Sequence, residues 1–139
     1  MIWKFPIWFF LIVTYGYWIH RAYHHYPFLW RFHAVHHRAF SFRFHPVESL
    51  LNWGVPFIAS VPFMGWTFCS IALGVVLFES YRGHGGLESV KGNKKIYKAF
   101  GFVTRGYHKQ HHLNPSVNFD QVTTWWDHWA GTVAEQQKA

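Results

Sequence analysis

The sequence predicts an all-α fold, an integral membrane helical bundle with one N-terminal span, a short helical hairpin and His-bearing helices on the cytoplasmic side. Three observations support this fold class. Half of the 139 residues are hydrophobic and 14% are charged, whereas a soluble domain typically carries about 25% charged residues. Two long apolar runs occur, over residues 2–19 and 50–78. Eleven of the twelve His fall in three stretches, residues 20–45, 84 and 108–112.

The first apolar run, Ile2–Ile19, has the length and composition of a membrane-spanning helix. It carries one charge, Lys4, near its start. At the α-helical rise it would reach about 27 Å, close to the ~30 Å hydrocarbon core of a bilayer. A signal peptide is the alternative, but it requires small residues at a cleavage site, and this run ends in Trp18 and Ile19 before His20. We therefore predict a retained span.

The second apolar run, Leu50–Phe78, follows a segment, His20–Pro46, that is predicted to be helical with a break at Pro27. As one straight helix the run would reach about 43 Å, which is too long for a single span. Residues that interrupt helices lie near its middle: Pro56, Pro62 and Gly65. Two short helices folded back on each other are therefore predicted.

A hairpin keeps all His-rich segments on one side of the membrane, whereas a single span would separate them. The basic residues agree with this arrangement, since Lys4 alone precedes the first span. The others lie on the His side: Arg21, Arg31, Arg38, Arg43, Arg82, Lys91, Lys94, Lys95, Lys98, Arg105, Lys109 and Lys138. By the positive-inside rule that side is cytoplasmic.

Length and composition exclude several classes of protein. A chain of this length has room for one domain, residues 1–139. Cys69 is the single cysteine, which excludes a disulfide framework and a Cys-based zinc site. The net charge of +7 does not indicate nucleic-acid binding, because the basic residues form no stripe and no known nucleic-acid motif is present. A basic, aromatic-rich chain with few charges fits a membrane surface better.

Three His clusters carry the strongest functional signal. His20–His25 has the pattern HxxxHH, and both His33–His37 and His108–His112 have the pattern HxxHH. Residues three and four apart share a helix face, so each cluster can bring imidazoles together. Nine imidazoles are too many for one metal ion but suit two. The isolated His45 and His128 are interpreted as structural, with His45 ordering the entry to the hairpin.

The ligand type leaves the metal open, because imidazole suits Zn, Cu, Fe and Ni. The sequence contains no HExxH motif, which excludes a zinc metalloprotease of that kind. It contains no Glu-x-x-His motif either, which excludes the carboxylate-rich di-iron site of ferritin-like bundles.

Short motifs occur in a fixed order around these clusters: YWIHRAYHH from Tyr17, LWRFHAVHH from Leu29, FHPVE from Phe44, NFD from Asn118 and TWWDHWAGT from Thr124. In this order they resemble the fatty acid hydroxylase/sterol desaturase superfamily of membrane non-haem di-iron enzymes. The resemblance covers about Tyr17 to Thr132, and the sterol desaturase-like members are the most similar. The sequence departs from the family pattern at Asp120, where a Gly is expected, and at Ala130, where a Phe is expected.

The resemblance implies an oxidoreductase that binds two iron ions and uses O₂ to hydroxylate or desaturate a membrane lipid (sterol, fatty acyl or carotenoid). Two external electrons reduce the irons, and removal of hydrogen from a C–H bond leads to an alcohol or an alkene. The resemblance also implies a tenth metal ligand, His84, beside the nine cluster residues. The ligands it implies are His20, His24, His25, His33, His36, His37, His84, His108, His111 and His112.

The resemblance further implies an external electron donor of the cytochrome b5 or ferredoxin type, since no Rossmann glycine fingerprint is present. The basic segment Lys91–Lys98 would dock this donor, contact anionic lipid or simply follow the positive-inside rule. The implied location is the endoplasmic reticulum or a bacterial inner membrane. A homo-oligomer is one way for so short a chain to complete a bundle.

Two other functions stay open from the sequence. The main alternative is a non-catalytic membrane metal-binding or scaffold protein derived from this family. A metal transporter is disfavoured, because its ionisable ligands would lie along a path near the membrane midplane. Iron content together with a product that depends on O₂ and a reductant separates an enzyme from a scaffold.

Overall fold

The computed structural model describes residues 3–38, 43–84 and 99–135. Within these ranges the chain is helical and forms no strand, apart from an isolated bridge between Phe102 and Thr123. The helices are α1 (Lys4–His25), α2 (Pro27–His37), α3 (Pro46–Ser49), a π-helical turn (Leu50–Gly54), α4 (Val55–Met64), α5 (Trp66–Gly83), α6 (Arg105–Leu113) and α7 (Trp125–Ala130). The all-α prediction is confirmed. The basic segment Lys91–Lys98 lies outside the described residues.

The N-terminal half contains one long helix that turns directly into a second. α1 runs without interruption from Lys4 into the first His cluster. Tyr26 is extended, with φ −103° and ψ 116°, and Pro27 begins α2. Proline suits this position because the first turn of a helix needs no backbone donor there. The predicted break at Pro27 therefore separates α1 from α2.

The second apolar run forms the predicted pair of helices, α4 and α5. The break falls at Gly65, whose φ is 83°, a conformation that other residues adopt only with strain. Pro56 lies in the first turn of α4 and Pro62 lies inside it, so the prolines do not end the helix. The hairpin packs on α1 through a hydrogen bond from Trp8 Nε1 to Ser60 Oγ at 2.8 Å.

Replacing Gly65 with Ala is expected to destabilise the fold by about 1–2 kcal/mol, because an L-residue is strained at positive φ. A Cβ at Gly65 meets nothing within 4 Å, so the cost is backbone strain rather than a clash. Gly74, inside α5, also has open space around its Cβ position. There the same change should stabilise by about 0.5–1 kcal/mol. Chemical denaturation of both variants measures this difference in sign, and equal effects would contradict it.

The predicted N-terminal span is not confirmed. Across the three described ranges, no helix combines the length and the apolar character needed to cross a membrane. α1 has 22 residues, but it begins at Lys4 and its last turns carry His20, Arg21 and His24.

A buried carboxylate, Asp127 on α7, organises the C-terminal segment. Its Oδ1 accepts the N–H of Phe119 at 2.9 Å and the hydroxyl of Thr132 at 2.6 Å. Its Oδ2 accepts the N–H of Asp120 and the hydroxyl of Tyr107, both at 2.8 Å. Asp127 therefore ties α6, α7 and the chain between them into one unit against the end of α1.

Candidate metal centre

Five His from three helices converge in a first cluster, defined by His20, His24, His33, His37 and His111. His33 lies at its centre: its Nε2 is 3.1 Å from the Nε2 atoms of His20 and of His24, and 3.0 Å from that of His37. His111 joins from α6, with its Nε2 3.0 Å from that of His24. The five ligand atoms all lie within 4.8 Å of one another.

Four more His form a second cluster, defined by His36, His84, His108 and His112. The Nε2 of His84 is 3.2 Å from that of His36 and 2.8 Å from that of His108. His112 Nε2 lies 3.1 Å from His108 Nε2. The two clusters adjoin, since the rings of His37 and His112 stack with centroids 4.4 Å apart. Nine of the ten ligands implied by the resemblance, including His84, are brought together.

His25 is the exception. Its side chain is exposed and its ring contacts Tyr26, so it belongs to neither cluster. His45 and His128 also lie apart from both groups. His45 accepts the N–H of Val47 and caps α3, which agrees with its expected role at the hairpin entry. His128 contacts the carbonyl of Thr124 at the surface.

Backbone carbonyls orient several of these rings from the outside. The Nδ1 atoms of His20, His84 and His111 contact the carbonyls of Phe119, Ser80 and Val117, the last two at 2.6 and 2.7 Å. A carbonyl can only accept, so each of these Nδ1 atoms carries the hydrogen. The neutral ring then directs a bare Nε2 lone pair into its cluster. Such outer contacts typically fix the tautomer of metal-binding His.

Burial keeps the cluster rings uncharged at neutral pH. Loss of solvation lowers the pKa of His111 to about 4 and that of His24 to about 3. The same effect, with repulsion from neighbouring rings, lowers the pKa of His37 to about 2 and that of His112 to about 3. Burial also holds the pKa values of four other cluster rings below their usual range: His20, His33, His36 and His108. Neutral imidazole is the form that binds metal ions.

The converging nitrogens fit a metal ion. Lone pairs directed at a common point repel one another, and a bound cation relieves that repulsion. Metal–nitrogen bonds of about 2.0–2.1 Å place neighbouring ligand nitrogens about 3 Å apart, and the closest nitrogen pairs in the clusters are 2.8–3.2 Å apart. The two groups of imidazoles are therefore suited to hold two ions side by side.

An apolar cavity of about 580 Å³ leads to the second cluster. It runs between α1 and α5, from Phe5, Trp8 and Phe68 at one end to His84 at the other. Along α5, Phe68 and His84 lie about 24 Å apart at the helical rise. His36 and His108 line the inner end, whereas no ring of the first cluster is among the described residues that line it. A ligand in this cavity therefore meets the second cluster.

Comparison with known proteins identifies the family of this chain. The family model described as fatty acid hydroxylase matches residues 5–132, which includes both His clusters. The chain belongs to the fatty acid hydroxylase family. This is the fatty acid hydroxylase/sterol desaturase superfamily, so the resemblance seen in the motifs is confirmed. No curated protein and no solved structure matches the chain significantly.

Fatty acid hydroxylases are oxidoreductases that hydroxylate or desaturate lipids with O₂. The family is typically iron-dependent and generally membrane-associated. The two clusters suit a metal requirement of this kind, because they provide nine neutral imidazoles and no thiolate.

Sequence reasoning assigned no role to two buried acids near the clusters. Glu48 contacts His33 Nδ1 through its Oε1 at 2.6 Å, and Asp127 supports the chain that orients His20. Both stand in quoted motifs, HPVE and TWWDHWAGT, which was the available signal. Asp120 stands where the family pattern has a Gly. Burial raises the pKa of its carboxyl group to about 8, and the side chain accepts the N–H of Asp127 at 3.0 Å. Ala130 ends α7 and is exposed.

Proposed function

We propose that the protein hydroxylates or desaturates a lipid chain with O₂ at a histidine-ligated di-iron centre. The observation that supports this most directly is the apolar cavity ending on His36, His84 and His108. A cavity of this size suits a lipid-like ligand, and the ligand would reach a metal-binding cluster at the inner end. Family membership supports the same reaction class.

In this proposal the first cluster holds one iron and the second cluster holds the other. His25 is left out, because its side chain is exposed and apart from both groups. The irons would supply O₂ activation with two electrons from outside, so that a C–H bond becomes an alcohol or a pair of C–H bonds becomes an alkene. The chain itself holds the ions, excludes water and positions the substrate.

The lining of the cavity suits the hydrocarbon part of a lipid. The walls along α5 are aliphatic: Ile71, Ala72, Val75 and Val76. The family model that matches the chain is described as fatty acid hydroxylase. We therefore propose a fatty acyl substrate.

The remaining partners follow from the same proposal. Large apolar side chains are exposed just before α1 and on α7, with Trp3 at 67% and Trp129 at 64%. Exposed aromatic surface of this kind marks membrane contact, so we propose that the protein associates with a membrane and that its clusters face the cytoplasm. An external donor of the cytochrome b5 or ferredoxin type would supply the electrons.

Incubation of the iron-loaded protein with an acyl lipid, a reductant and ¹⁸O₂ tests this function. Hydroxylation is expected to place one ¹⁸O atom in the product, and desaturation to yield an unlabelled alkene. Either product should require O₂ and reductant together. A protein that holds two irons but forms no product with any acyl lipid would instead support the non-catalytic scaffold.

A bulky residue about a quarter of the way in from the outer end of the cavity is expected to shorten the chain that the protein accepts. Ala72 lines the cavity, so Ala72→Phe should lower kcat/KM for long acyl chains about tenfold or more, because several methylene contacts are lost. Shorter chains should be affected less. The matched control is Gly74→Phe, which adds the same ring on α5 where the space is open. An equal loss in both variants would contradict the assignment of the cavity.

A further inference from the structure

Glu48 lies between the two His clusters. Its side chain is fully buried on the short helix α3. Its Oε1 is 2.6 Å from Nδ1 of His33, whose Nε2 is at the centre of the first cluster. Its Oε2 is buried and has no hydrogen-bond partner within the described residues. Removing a carboxylate from water is costly unless both oxygens are satisfied, so the second oxygen requires an explanation.

His36 has a buried ring nitrogen that also lacks a hydrogen-bond partner among the described residues. Its Nε2 belongs to the second cluster, and its Nδ1 is buried with no hydrogen-bond partner among the residues described. One ring nitrogen of His36, one of His33 and a carboxylate oxygen of Glu48 all lie within 4.8 Å of one another. The rings of His33 and His36 are nearly parallel, at 27° with centroids 5.0 Å apart. Both rings therefore stand beside the same carboxylate.

We infer that Glu48 is a positioning residue shared by the two metal sites. One carboxylate oxygen accepts the Nδ1–H of His33, and the other would accept the Nδ1–H of His36 once metal ions are bound. Each ring would then carry its hydrogen on Nδ1 and direct its Nε2 lone pair at a metal ion. This inference rests on the two metal sites of the proposed function and is independent of the oxidation reaction.

The chemistry of a carboxylate suits this role better than that of an amide. A carboxylate has two acceptor oxygens and can serve two N–H donors at once. An amide has one acceptor, so Glu48→Gln can serve one ring and must turn its own NH₂ toward the other. Alanine serves neither ring. Outer carboxylates of metal-binding His typically change metal affinity by 10–100-fold when they are removed.

Titration of the metal-free full chain with Co²⁺, followed by its visible absorption, tests the inference. The wild type is expected to bind two ions. Glu48→Gln should weaken one of the two binding steps 10–100-fold and leave the other within about twofold, whereas Glu48→Ala should weaken both. Asp120→Asn is the control, because it replaces another buried acidic side chain and its amide oxygen can still accept the N–H of Asp127. Within the described residues Asp120 contacts no cluster ring, so this variant should bind as the wild type does.

The outcomes separate this inference from the proposed function. Two unaltered binding steps in Glu48→Gln, or a single weakened step in Glu48→Ala, would overturn the shared role and leave the metal centre in place. A wild-type chain that binds fewer than two ions would overturn the metal centre and this inference together. Circular dichroism verifies that each variant is folded, and Glu48→Gln, which is close in shape to the native residue, carries the test if Glu48→Ala does not fold.

Discussion

A chain with both His36 and His111 replaced by Ala is expected to lose both metal ions and all oxidation activity. His111 belongs to the first cluster and His36 to the second, so each site loses one buried ligand. The helices and the remaining His rings stay in place, but each cluster lacks one of its imidazoles. Mass spectrometry of the purified protein should find about two irons per wild-type chain, and none in the double variant.

His25→Ala is the matched control for this result. His25 stands beside the ligand His24 in the same motif, but its side chain is exposed. We expect the variant to keep about two irons and to retain activity. Loss of one iron in this variant would show that His25 is a ligand, as the sequence suggested, and would contradict the assignment of nine.

Asp127→Ala is expected to destabilise the fold by about 3–5 kcal/mol, because it removes a buried acceptor that serves four donors. The N–H groups of Phe119 and Asp120 and the hydroxyl of Tyr107 would be left buried without their partner. The free energy of unfolding from chemical denaturation measures this loss. The carbonyl of Phe119 also contacts His20, so metal affinity should fall as well.

The neighbouring residue on the same helix provides the control for Asp127. His128 lies at the surface and contacts a carbonyl of its own turn. Its replacement by Ala should change stability by about 0.5 kcal/mol or less, as is usual for surface sites. Comparable destabilisation by both substitutions would mean that α7 itself is sensitive, and that the carboxylate of Asp127 is not the cause.

The His spacing predicted which rings lie close together, because it reflects local helix geometry. Residues four apart share a face, and the structure uses this pairing in His33 with His37 and in His108 with His112. Adjacent residues on a helix point about 100° apart, so neighbouring His cannot enter one cluster equally. The structure divides His36 from His37 between the two clusters and leaves His25 outside both. The angle predicts that His24 and His25 point in different directions, but the tertiary structure decides that His25 stays outside both clusters, since His36 and His37 each reach one.

Other features depend on contacts between distant parts of the chain, and no local pattern reveals them. Glu48 meets His33 because α3 packs against α2. Asp127 accepts hydrogen bonds from Phe119 and Asp120, earlier in the chain, and from Tyr107 on another helix. The N-terminal span was predicted from the apolar run over residues 2–19. The helix has other bounds, Lys4–His25, and so includes polar residues that lie outside the run.

α1 and α5 each combine two roles along one unbroken helix. α1 lines the cavity with Phe5, Trp8 and Val13 and then supplies His20, while α5 lines it from Phe68 and ends beside His84. The distance between the outer end of the cavity and the His clusters is thus set by the rise of these helices, about 1.5 Å per residue. Under the proposed function, this distance would decide which carbon atom of a bound chain lies next to the second cluster. One residue inserted into either helix would then shift the position of oxidation, whereas changes in the connecting loops would not.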